Sequence, residues 1–117
     1  MVTPLNEDSF IEKVFDYEHN KEWSFKGSRP AILEFFVTWC PHCKAMAPRY
    51  EELSDELKGK VDCYKVDLEL HPTLAKLFNV TSFPTFLFFQ KNKRPEVSVG
   101  EMPTADLRRL VKQEFGL

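Results

Sequence analysis

The chain has 117 residues, 43% of them hydrophobic and eleven of them Phe, enough for one substantial core and too few for two. Sixteen Lys plus Arg against eighteen Asp plus Glu give a formal charge of −2, which leaves no electrostatic footprint for a nucleic-acid backbone. No apolar run approaches the roughly 20 residues that span a bilayer, and "MVTPLNEDSF" has neither the basic nor the apolar region of a secretory leader. The expectation is a cytoplasmic, monomeric protein of one domain over residues 1–117, with no nucleic-acid or membrane partner; a chain whose leader had been cleaved would read the same way.

Taken in chain order, residues Leu5–Tyr17 place Phe10, Ile11, Val14, Phe15 and Tyr17 among charges, with Asn6 or Asp8 as N-cap, and predict an amphipathic helix. In "EWSFKGSRP" Trp23 and Phe25 alternate with polar residues, a pattern that fits a short edge strand or an ordered loop. Residues 31–37 form a nearly unbroken apolar run, as in a strand buried on both faces. From Pro41 to Leu57 the period becomes helical through Ala45, Met46, Tyr50, Leu53 and Leu57; Pro48 predicts a kink and Gly59 the end. Residues 61–67 predict a second strand. Pro72–Phe78 predicts a short helix with Pro near N1 and Leu74, Ala75, Leu77 and Phe78 buried. Thr85–Phe89 and Glu96–Val99 predict an antiparallel hairpin across a charged turn, and Thr104–Phe115 a last helix with Thr104 as N-cap. That order predicts a mixed sheet with helices on both faces.

Three cysteines, Cys40, Cys43 and Cys63, are too few and too uneven for a disulfide-stapled scaffold. A structural zinc site needs four ligands; the chain has no second C-x-x-C and no H-x3-5-H pair. Haem attachment would need His where Lys44 stands. What remains is redox chemistry. Cys40 falls between a buried strand and the first turn of a helix, where free N–H groups and the positive end of the helix dipole stabilise a thiolate. Cys43, one turn further in, is placed to resolve what Cys40 attacks. Trp39, Pro41 and His42 predict a partly exposed, polar setting.

"AILEFFVTWCPHCKAMAP", "YKVDLELHPTLAKLFNVTSFPTFLFF" and "SVGEMPTADLRRLV" together resemble the thioredoxin family over nearly the whole chain. The resemblance rests on Trp39 before the first Cys, Pro48 after the second, the "SFPT" ending in Pro84 and Thr85, and Gly100; "MVTPLN" offers little counterpart to the family's first strand. It implies the thioredoxin fold, a three-layer α/β/α with a central mixed sheet, and a thiol–disulfide oxidoreductase, a protein-disulfide reductase that works without metal or organic cofactor. It also implies disulfide-containing protein substrates and a recycling reductase such as thioredoxin reductase. Pro84 is then expected to be cis and to face the cysteines, with the backbone of Phe83 pairing with substrate. Glu34, where the family has Asp, is expected to relay the Cys43 proton, and Lys65 to offset its burial. The alternative for Glu34 and Lys65 is a strand with one wet face.

Between the cysteines stand Pro41 and His42, the dipeptide typical of DsbA-like oxidases. A His donating to the nucleophile stabilises the reduced form and makes the disulfide more oxidising, which places the expected potential between those of thioredoxin and DsbA. The span between Val66 and Pro84 leaves no room for the helical insertion of DsbA-like proteins. A more oxidising oxidase or isomerase is therefore one alternative, and a non-catalytic thioredoxin-fold interaction module another. Trp39, Phe83, Val99, Gly100 and Met102 are expected to form an apolar docking patch around Cys40, with Glu101 either biasing partner choice or pointing to solvent. Cys63 is expected to be a small buried hydrophobe or, alternatively, a regulatory thiol. Surface or capping roles are expected of His19 and His71.

Overall fold

In a computed structural model that describes residues 1–117, nearly every predicted element is present, and the differences lie at ends and edges. The chain opens with a two-residue strand, β1 (Thr3–Pro4), at the position where the sequence offered little. Helix α1 (Glu7–Lys13) is shorter than the predicted amphipathic stretch. Asn6 is its N-cap: its side chain accepts from the Ser9 N–H at 2.9 Å, while Ser9 Oγ accepts from the Asn6 N–H at 2.9 Å, a reciprocal box that settles the choice against Asp8. Residues 18–30 form an ordered loop rather than an edge strand. Trp23 fastens that loop by donating from Nε1 to the Lys93 carbonyl at 2.9 Å and by stacking on Phe89.

Strand β2 (Ala31–Phe36) leads to helix α2 (Pro41–Glu56), which runs through Pro48 and ends before Gly59, whose φ of +83° carries the turn into β3 (Asp62–Asp67). Helix α3 (Pro72–Leu77) has Pro72 at its first position and buries Leu74 and Ala75. Leu77, expected inside, is exposed, and Phe78 is half-buried, because a six-residue helix presents less than two turns of face to the sheet. The hairpin is β4 (Thr85–Phe89) and β5 (Glu96–Val99). Helix α4 (Thr104–Phe115) matches the predicted span, but its N-cap is Pro103 with no side-chain cap; Thr104 is its first residue.

The five strands lie in the order β1-β3-β2-β4-β5. β1 and β2 run parallel to β3, and β4 is antiparallel to both β2 and β5. The sheet is therefore mixed, with β2, β3 and β4 at its centre. Period-2 alternation divides the central strands between two cores. Ala31, Leu33, Phe35, Val66, Leu87 and Phe89 face α1 and α3 with Phe10, Val14 and Leu74. Ile32, Cys63, Phe86 and Phe88 face α2 and α4 with Met46, Tyr50, Leu53, Leu107 and Val111. This is the expected three-layer α/β/α arrangement. A third, small apolar group of Val37, Cys40 and Cys43 sits at the end of β2, against Phe36, Leu68 and Phe83.

Candidate active site

Pro41 fixes the local geometry of the pair. A residue before proline is driven out of the helical region, and Cys40 accordingly has φ −78° and ψ 126° and serves as N-cap of α2, with Pro41 at its first position. Cys43, three residues on, lies within the first turn. Both cysteines are free thiols. The predicted partial exposure is only half met: Trp39 is 58% exposed and Pro41 and His42 are open to solvent, yet Cys40 and Cys43 are only 5% and 4% exposed. The sulfurs pack into the apolar group at the end of β2, which no local pattern announces.

Burial pushes the Cys43 thiol up to about 11; a backbone hydrogen bond from Val37 works against this, and the neighbouring Cys40 and Glu34 add to it. At neutral pH Cys43 therefore keeps its proton. Glu34 lies behind it. β2 places Glu34 on the α2 side of the sheet, 3% exposed, which excludes the wet-face alternative. Burial pushes its carboxyl up to about 7, partly countered by the charge of Lys65. Lys65 is the Glu34 register partner on β3, but its ammonium lies over the Phe36 ring, 5.6 Å from the centroid. Glu34 Oε2 has no hydrogen-bond partner. Glu34, Cys43, Lys65, Tyr50 and Glu51 line a cavity of about 60 Å³. Val2, Phe36 and Ala47 complete its lining, so the Glu34 carboxyl and the Cys43 thiol open onto one small and largely apolar space. The Tyr50 hydroxyl lies 2.8 Å from the Tyr64 carbonyl and 3.1 Å from that of Ile32. It thereby ties α2 to both strands beside this cavity.

On the other side of the cysteines the Phe83–Pro84 bond is cis, and Pro84 is buried. The Gly100 N–H donates to the Pro84 carbonyl at 2.8 Å. Gly100 holds φ +104° there, a conformation that a side chain would strain. Trp39 meets Phe83 edge to face at 5.4 Å and donates from Nε1 to Glu69 at 3.0 Å. His42, Phe83, Pro84, Gly100, Glu101 and Met102 line a groove of about 470 Å³. Of the residues expected around Cys40, Phe83, Gly100 and Met102 are half-buried and line this groove, while Trp39, packed on Phe83, and Val99, next to Gly100 in the chain, are exposed.

The sequence reading missed a polar triad on this groove. Glu101 Oε1 lies 2.8 Å from His42 Nδ1, and Oε2 accepts from Arg49 at 3.0 Å. No local pattern marks Arg49 or Glu69, whose partners Glu101 and Trp39 lie 52 and 30 positions away. Cys63 is buried, its thiol pushed up to about 12 by burial, which makes it an inert core group. His19 pairs with Asp16, and His71 with Glu7 at 2.7 Å across α3 and α1. A hollow of about 1000 Å³ lies at the opposite end of the sheet between the loop around Trp23 and the β4–β5 turn, and holds none of these residues. No cluster of three or more His, Cys, Asp or Glu side chains is placed to hold a metal.

A dithiol at the start of a helix, backed by a buried carboxyl able to take up a proton, is equipment for thiol–disulfide exchange. The architecture that carries it here is the thioredoxin fold. The sequence profile of the family described as Thioredoxin matches residues 3–113, and the chain belongs to that family. It is 40% identical over 116 residues to a thioredoxin of Borreliella burgdorferi, covering 99% of each chain. It is 36% identical over 87 residues to the chloroplastic M-type thioredoxin of Spinacia oleracea, covering 74% of this chain and 48% of that one. To the protein disulfide-isomerase erp38 of Neurospora crassa it is 38% identical over 96 residues, 79% of this chain and 26% of that protein. The crystal structure of a chloroplastic thioredoxin z superposes with a TM-score of 0.77 over 96% of this chain and 92% of that one, at 23% identity, which speaks for the fold. The protein is a thiol–disulfide oxidoreductase acting on protein disulfides.

Proposed function

We propose that the protein is a general protein-disulfide reductant in which Cys40 is the nucleophile, Cys43 the resolving thiol and Glu34 its proton acceptor. The observation that carries this is the shared cavity behind the pair, where a thiol pushed up to about 11 and a carboxyl pushed up to about 7 face one space. Cys40 thiolate attacks one sulfur of a substrate disulfide; the S–S bond breaks and the other substrate sulfur leaves with its electron pair and takes a proton. Cys43 then passes its proton to Glu34 and attacks the Cys40 sulfur, which releases the second substrate thiolate. Two electrons reach the substrate, and Cys40 and Cys43 end as a disulfide.

Substrate docks as an extended segment along the groove, against the Phe83 backbone, Pro84 and Gly100, with Trp39, Pro41 and His42 at its edges. Lys65 keeps the Glu34 carboxylate accessible near neutral pH by its charge. A reductase recharges the pair, and the chain works as a single-domain monomer in the cytoplasm, without a membrane or nucleic-acid partner. Reduction of insulin with dithiothreitol as electron source tests this. C40S is expected to be inactive, and C43S to accumulate mixed disulfides through Cys40. A wild-type chain that does not accelerate precipitation would instead mark a non-catalytic interaction module, and trapping through Cys43 would reverse the two thiol roles.

A further inference from the structure

We propose that Glu101 is a positioning residue that sets the reduction potential, by engaging His42 and withholding it from the Cys40 thiolate. The proposal rests on the oxidoreductase reading above and concerns the direction in which the pair is poised. His42 stands between the cysteines, where an imidazole free to donate to the thiolate stabilises the reduced pair and makes the disulfide a stronger oxidant. Here its Nδ1 lies 2.8 Å from Glu101 Oε1. A carboxylate only accepts, so Nδ1 carries the proton of this bond. The hydrogen bond from His42, and the hydrogen bond and charge of Arg49, hold the Glu101 carboxyl below its usual range, which leaves it anionic at neutral pH. In the neutral imidazole Nδ1 then carries the only ring N–H, so the one donor that His42 has is directed to Glu101 rather than to Cys40.

The loop that carries Glu101 is pinned over the first turns of α2 at several points. The Gly100 N–H donates to the Pro84 carbonyl at 2.8 Å, and the Met102 N–H approaches Met46 Sδ at 3.3 Å. Arg49 donates to the Met102 carbonyl at 2.9 Å and to Glu101 Oε2 at 3.0 Å. Arg49 therefore fixes the second carboxylate oxygen and leaves the first aimed at His42. The Glu101 side chain is 29% exposed, against 68% for His42, so the carboxylate is the better-held partner of the two. The arrangement reconciles an oxidase-type dipeptide with a reductant: the imidazole is present, and a residue 59 positions away occupies it.

Equilibrium titration against reduced and oxidised glutathione, read by Trp39 fluorescence in a chain with Trp23 replaced by Phe, tests this. E101Q is expected to shift the equilibrium constant about tenfold toward the oxidant, some 30 mV more positive, and E101D to stay closer to the parent. Loss of a nearby negative charge would by itself act in the same direction, so His42 must be shown to carry the effect. E101Q/H42A is therefore expected to match H42A alone. An unmoved or more reducing E101Q, or an equal shift in the H42A background, would overturn the proposal. A parent chain with no redox transition would sink the oxidoreductase reading as well, whereas a normal parent with an unmoved E101Q would sink this proposal alone.

Discussion

Glu34 carries both a stability cost and a role in turnover, and the two have opposite claims on it. Its carboxyl titrates at about 7 in the folded chain against an ordinary value of 4.5. Between those two pH values the native state holds a proton that the unfolded chain has released. Its contribution is therefore complete below about pH 4.5, falls as pH rises, and levels off above about 7. A shift of that size amounts to roughly 3 kcal/mol. Glu34→Gln is expected to remove this slope and to be the more stable protein at pH 8, as urea unfolding at pH 5 and pH 8 would record. The same substitution is expected to slow resolution of the mixed disulfide by roughly 10²-fold, the lower end for a positioned general base, and single-turnover kinetics of release would record that. A Gln variant that is stabilised yet resolves at the normal rate would leave Glu34 with a structural cost and no proton role.

At the scale of elements, the placement of α2 decides the chemistry, and apolar contacts rather than surface ion pairs hold it. Between α2 and α4, Arg108 grips Glu56 with two hydrogen bonds of 2.9 and 2.7 Å, but both side chains are a third or more exposed, where such pairs contribute little. Leu107, on the neighbouring position of α4, is fully buried in the core with Met46, Leu53 and Phe86. Leu107→Ala is expected to cost about 2–5 kcal/mol and Arg108→Ala far less, as the two urea midpoints would report; equal losses would mean that the ion pair fastens α4. The same reasoning explains which elements the sequence made legible. β2, β4 and α4 carry nearly unbroken apolar or helical patterns and appear where expected. β1 is two residues long, held by its pairing to β3, and no local pattern in "MVTPLN" encodes that. Leu77 follows the helical period but lies exposed, because periodicity fixes a face and not what covers it.

Across the whole molecule, the two main cores lie on opposite faces of one sheet and share its three central strands, so neither can melt and leave the other intact. We expect one cooperative transition. Trp23 packs on the α1 and α3 side and Trp39 lies at the cysteine pair, so in each of two single-Trp variants the fluorescence curve should superimpose on the circular-dichroism unfolding curve of the same variant. Displaced curves would divide the chain into two units. The exposed residues Val97 and Val99 lie on β5, one of the two edge strands of the sheet, where a second copy would find an open side to pair with. Sedimentation equilibrium is expected to give the mass of one chain, and a concentration-dependent dimer would count against the monomer.

The sequence by itself determined the chemistry and its support: the C-x-x-C pair at a strand–helix junction, the proline that forces Cys40 into the N-cap position, Glu34 in a buried strand, the "SFPT" segment and Gly100. The pair, the proline and Glu34 depend on the residue's own identity and its nearest neighbours in the chain, where backbone restriction and period act; the "SFPT" segment and Gly100 stand out through the resemblance to the thioredoxin family. The tertiary structure alone decided how deeply the sulfurs are buried, which carboxylate His42 meets, and that Arg49 steers it. Those depend on which distant segments the folded sheet brings against α2. The His42–Glu101 bond joins residues 59 positions apart, and no periodicity or local preference reaches across that separation.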